Sequence, residues 1–160
     1  MRRLMPAVLA LVLLLAATRP AHADVTAFLG LSPTGATRTG QGLAAGAGLV
    51  VVGFEVEAAR LSESADDSAP GLSTASANLL VQTPLDISRT QFYGTAGVGV
   101  YRETLGTRRE TSVGGNVGGG LKIRVAGPLK LRLDYRLFRL RGQPVYRVWH
   151  RVSAGATLGF

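Results

Sequence analysis

The chain has 160 residues, with 18 Lys and Arg against ten Asp and Glu, two His, no Cys and 21 Gly. Without cysteine it can be neither stapled by disulfides nor hold a thiolate metal site, and its net charge of +8 owes three arginines to the first 19 residues, which weakens a nucleic-acid reading. Beyond residue 24 no apolar run reaches 18 residues and no helical stripe is sustained, which excludes helical membrane spans and helix bundles.

In chain order, Arg2 and Arg3 precede an apolar stretch over residues 7–17, and Ala21-His22-Ala23 follows as a small-x-small motif. That order predicts a secretory signal peptide over 1–23, cleaved after Ala23. The apolar stretch is well short of the roughly 20 residues a membrane helix needs, and Arg19-Pro20 ends it. Residues 24–160 are then one domain, with fifteen bases against ten acids.

Eight strand-length runs follow, at about 25–32, 40–51, 54–62, 72–83, 89–102, 112–125, 129–140 and 146–160. Short turns are predicted at 52–53, 84–88 and 126–128, and longer polar connections at 33–39, 63–71, 103–111 and 141–145. Period-2 alternation sorts the side chains into two faces. In the seventh run Leu129, Leu131, Leu133, Tyr135 and Leu137 share one face, and Lys130, Arg132, Asp134 and Arg136 the other. The third run separates Phe54, Val56 and Ala58 from Glu55 and Glu57; the sixth separates Val113, Val117, Leu121, Ile123 and Val125 from Asn116, Lys122 and Arg124. Glycine recurs within these runs, which is costly in a soluble sandwich but useful in a tightly curved barrel.

The last run alternates through Tyr146, Val148, His150, Val152, Ala154, Ala156 and Leu158 and ends on Phe160, with Arg147 and Arg151 on its other face. This ending resembles the closing strand of bacterial outer-membrane barrels. With the signal motif, the strand count and the short and long connections, the chain is similar to the small eight-stranded outer-membrane β-barrels of the OmpA transmembrane-domain and OmpX type. The resemblance implies an all-β, antiparallel, up-and-down transmembrane barrel over 24–160 in the outer membrane of a Gram-negative bacterium. It also implies that Phe160 and Leu158 act as a signal to the assembly machinery. Its partners would be outer-membrane lipids and lipopolysaccharide, the latter through Arg139 and Arg141 at the rim, and the barrel a monomer that binds no nucleic acid.

With that polarity the apolar face meets lipid, since a lipid-facing Arg or Lys at the midplane costs about 2–4 kcal/mol. Glu55, Glu57 and Asp134 then share the lumen with Lys122, Arg124, Lys130, Arg132, Arg136, Arg147 and Arg151, and the expectation is a basic charge network filling the interior. An anion pore is a minor alternative. Phe54, Phe92, Tyr93 and Phe160 are expected in one aromatic girdle and Tyr101, Tyr146 and Trp149 in the other.

Acyl hydrolysis would need a nucleophile within reach of a base, yet Ser153, the serine nearest His150, falls on the opposite face of the strand. No catalytic residue, cofactor or metal site is expected; the glycines at 114–120 lack the Lys-Ser/Thr ending and the helix of a phosphate loop. Alternation alone leaves one rival open, a soluble periplasmic lipocalin-like barrel with Leu129, Leu131 and Leu133 turned inward around an apolar ligand.

Overall fold

A computed structural model of the chain describes residues 22–64, 68–84 and 88–160, His22 by its backbone. The expected signal peptide therefore lies almost wholly outside the described residues, and its last two positions fall in the first strand. The strands are β1 (His22–Ser32), β2 (Arg38–Gly48), β3 (Val52–Leu61), β4 (Gly71–Gln82), β5 (Thr90–Leu105), β6 (Arg108–Ala126), β7 (Leu129–Leu140) and β8 (Val148–Gly159). Each pairs antiparallel with the next, and β1 pairs with β8 to close the barrel. Closure leaves no unpaired strand edge, the condition for a sheet to sit in hydrocarbon.

The β2–β3, β4–β5 and β6–β7 connections start and finish at one end, with the outer ends of β1 and β8; the β1–β2, β3–β4, β5–β6 and β7–β8 connections start and finish at the other. Several boundaries differ from those the sequence predicts: β1 starts three residues earlier and β2 ends three residues sooner. Val52 and Gly53 begin β3 instead of forming a turn, and β8 starts at Val148, two residues after the expected position. The largest difference is that the polar stretch 103–111 is no loop but a hairpin, in which Glu103 pairs with Glu110 and Leu105 with Arg108 around a two-residue Gly106-Thr107 turn. Gly106 (φ 58°) and Gly127 (φ 52°) open their two-residue turns in the left-handed region, where glycine is unstrained. Beyond the barrel wall both faces of a ribbon can be polar, so composition alone does not mark where pairing stops.

The two faces have opposite chemistry. Outward, Leu43, Phe54, Val56 and Val98 are each more than 60% exposed, and the aliphatic surface continues around every strand. Inward, Glu55, Glu57, Asp134, Lys122, Arg132, Arg136 and Arg151 are buried. The lipocalin alternative needs the reverse, with Leu131 and Leu133 inside; both face outward, so this polarity rules it out. Most strands run ten to twelve residues, close to the roughly 9–11 that cross a bilayer when tilted.

Interior glycines make room for the largest lumen side chains. The Phe28 ring lies over Gly42, and a Cβ on Gly155, the cross-strand partner of Phe28, would stand 2.7 Å from that of Phe28. On β6, a Cβ on Gly120 would come within 2.6 Å of the Tyr93 hydroxyl.

Candidate functional site

Alternation in β3 turns Glu55 and Glu57 inward, and in β7 and β8 it does the same for Arg132, Asp134, Arg136 and Arg151. The register sets Arg136 directly opposite Arg151 across the β7–β8 ladder, a like-charge pair that needs carboxylates between its members. Glu57 supplies one: its two oxygens receive Arg151 Nη1 at 2.8 Å and Nη2 at 3.0 Å, and Arg136 Nη1 approaches at 3.3 Å. Asp134 supplies the other, taking Arg136 Nε at 3.0 Å and Arg132 Nη2 at 3.2 Å. Glu55 completes the set, accepting from Arg136 Nη2 at 2.6 Å and pairing with Arg132.

Three guanidinium groups and three carboxylates thus interlock as a neutral hub. Arg132 also donates from Nε to the Tyr93 hydroxyl at 2.7 Å, and that hydroxyl donates to Asp134 at 2.5 Å. The Arg132 guanidinium stacks 4.8 Å from the Tyr93 ring centre, and that of Arg151 stands 4.6 Å from Phe28 and 5.2 Å from Phe138. Arginine suits such a site because its planar fork meets several acceptors while its face packs on a ring.

The remaining expected members lie elsewhere, and the interior is not the surplus of bases that the sequence suggests. Lys122 is buried one level below the hub on Asp24, 2.5 Å away, an acid one residue before the first strand-length run that nonetheless shares parity with Thr26 and Phe28. Arg124 and Lys130 line a vestibule of about 490 Å³ at the short-turn end, together with Gln82, Gln91 and Phe160. Arg147 is a correction: it precedes β8 and is exposed, because the strand begins after it and parity no longer directs its side chain inward.

Above the hub an apolar cluster occupies the lumen. Leu61, Leu72, Tyr101, Phe138, Leu140 and Trp149 form a buried cluster with Tyr146 against it. Tyr101 and Trp149 therefore do not belong to a lipid-facing girdle, and neither does Tyr93; Phe54, Phe92 and Phe160 do face outward. The loops bind down onto this plug. Trp149 Nε1 donates to the Tyr146 carbonyl at 2.8 Å, the Tyr101 hydroxyl donates to the Arg141 carbonyl, and Glu103 accepts from the Val145 amide at 2.7 Å. Arg38 stacks 4.5 Å from the Trp149 ring centre and donates to carbonyls of Thr34, Ala36 and Pro70.

His150 faces outward, its Nδ1 2.7 Å from the Tyr135 hydroxyl, whereas Ser153 is buried on the inner face. The two cannot form a nucleophile–base pair. Among the described residues no group of three or more His, Cys, Asp or Glu converges as a metal site would require.

No protein-family model matches the chain, and comparison with curated proteins gives no match. Solved structures do match. Neisserial surface protein A is 23% identical with a TM-score of 0.66, over 88% of this chain and 96% of that one. The N-terminal barrel domain of Pseudomonas aeruginosa OprF is 12% identical at a TM-score of 0.66, over 87% and 97%. The outer membrane enzyme PagL is 12% identical at 0.55, over 84% and 98%. At these identities the likeness carries the fold: a small eight-stranded outer-membrane β-barrel.

Proposed function

We propose that this protein is a closed outer-membrane barrel of a Gram-negative bacterium with a structural or surface-interaction role, and neither a porin nor an enzyme. The observation that carries this reading is the neutral hub of Arg132, Arg136, Arg151, Glu55, Glu57 and Asp134 with the apolar plug above it. A lumen of eight strands is only wide enough for side chains to fill, and here they are tied to one another. The enzyme PagL shares the fold, but the separation of His150 from Ser153 supports a non-enzymatic role for this chain.

In this reading 1–23 is removed on export, both termini lie on the periplasmic side, and the β5–β6 hairpin and the 33–37, 62–70 and 141–147 loops reach the cell surface. The monomer is solvated by outer-membrane lipid and lipopolysaccharide, and Phe160 with Leu158 is the segment read by the assembly machinery. No nucleic acid and no cofactor takes part. Cell fractionation tests the placement: the protein should sediment with the outer membrane, require detergent for extraction and run as a heat-modifiable band. Recovery in the soluble periplasm would overturn it.

A further inference from the structure

The charged residues on the lipid-facing side are unlike those of the lumen. On the described strands Arg60, Arg102, Arg109 and Arg139 point outward; all are arginine, all lie at the loop end, and no carboxylate accompanies them. Two of them share one lateral row, in which Gln41, Arg60, Ser73, Arg102 and Thr111 are successive cross-strand partners. Arg60 and Arg102 are therefore two strand spacings apart, ~10 Å, with only the small Ser73 between them. Arg102 Nε reaches Thr111 Oγ1 at 3.3 Å, and Arg60 has no hydrogen bond or ion pair among the described residues.

Arg60 also closes the loop end of a groove of about 820 Å³ on the barrel's outer surface. Ala27, Gly42, Ala58 and Gly155 form its floor, and Leu29 and Leu43 rise as its walls. The groove crosses β8, β1, β2 and β3 and reaches Ser73 on β4. Its small-residue floor leaves room along the wall for an apolar chain, and its head is the Arg60 guanidinium near the loop end of β3.

We propose that this sector is a specific binding site for one phosphorylated glycolipid of the outer leaflet, its acyl chain in the groove and its phosphates on Arg60 and Arg102. Each arginine can grip a phosphate with two parallel N–H donors, and neither has a carboxylate partner among the described residues. The two cations ~10 Å apart, flanked by the uncharged donors Gln41 and Thr111, favour a headgroup with more than one phosphate and free hydroxyls over a single phosphodiester. The inference rests on the lipid-out polarity of the closed-barrel reading.

Native mass spectrometry of the full protein, titrated in detergent micelles with bis-phosphorylated lipid A, its dephosphorylated counterpart and phosphatidylglycerol, tests the site. Wild type and Arg147→Gln, a change to an exposed loop arginine outside the groove, should retain the bis-phosphorylated lipid in preference to the other two. The Arg60→Gln/Arg102→Gln double variant should bind it about a hundredfold more weakly, about tenfold for each arginine–phosphate pair removed. Ala58→Phe, which fills the groove and leaves both arginines in place, should weaken it as well. Unchanged binding in the double variant, an equal loss in Arg147→Gln, or equal affinity for the dephosphorylated lipid or phosphatidylglycerol would each overturn the proposal. Heat-modifiability confirms that each variant is a folded barrel; should the double variant fail that check, the single variants Arg60→Gln and Arg102→Gln carry the test. A barrel that conducts yet selects the lipid would refute only the closed-lumen reading, and a silent barrel that does not select it only this one.

Discussion

Glu57 is held by two guanidinium groups, so its removal is the sharpest probe of the hub. With Glu57→Gln, Arg136 and Arg151 stay buried opposite each other with their shared carboxylate gone, and an uncompensated buried charge commonly costs about 3–5 kcal/mol. Equilibrium urea unfolding in micelles should register that loss, whereas Arg147→Gln, on an exposed side chain, should stay within about 0.5 kcal/mol of wild type. Similar values for both would mean that the hub does not hold the barrel. Trp149→Ala should cost about 3–5 kcal/mol through the cavity left among Leu61, Leu72 and Phe138, checked in the same titration. Parity within one strand already places Trp149 on the Arg151 side, so its inward orientation is legible in the sequence. The girdle expectation rests instead on its position near a strand end. For Arg147 the reverse holds: its parity points inward, and only the start of β8 shows that parity no longer applies there.

The strands themselves are readable because lipid outside and charge inside enforce strict alternation, and β3, β7 and β8 carry it almost without exception. The β5–β6 hairpin is not, because its distal residues escape both constraints and alternate nothing. A short epitope inserted at Gly106-Thr107 should leave the heat-modifiable band intact and be labelled by antibody on unpermeabilised cells, since the turn touches the rest of the protein mainly through Glu63, which accepts from the Gly106 amide at 2.6 Å. Labelling only after permeabilisation would invert the topology. Phe160 belongs to the other end, where its amide donates to the Ala23 carbonyl at 2.8 Å beyond the last residue of β8. Ala23 leaves with the signal peptide in the proposed mature chain, so deleting Phe160 there removes one exposed side chain, a small thermodynamic change. A sharp fall in folded outer-membrane protein would therefore point to recognition during assembly, and normal levels would refute that role.

Across the barrel as a unit, the fold class follows from strand count and connection pattern, but the composition of the hub does not. Alternation says that a side chain points inward without saying at what height. Which inward charges meet is decided by the stagger of a closed barrel, which brings Glu55 to Arg132 and Arg136 from 77 and 81 residues away. That stagger leaves Arg124 and Lys130 at the mouth and turns an apparent excess of bases into three balanced pairs beneath an apolar plug. The proposed closed interior would separate this barrel from a porin, and conductance of the purified, refolded protein in planar lipid bilayers reads it out. Wild type should be silent across the accessible voltage range, with no steady open level, while stable porin-size openings would contradict the closed lumen and make transport the function.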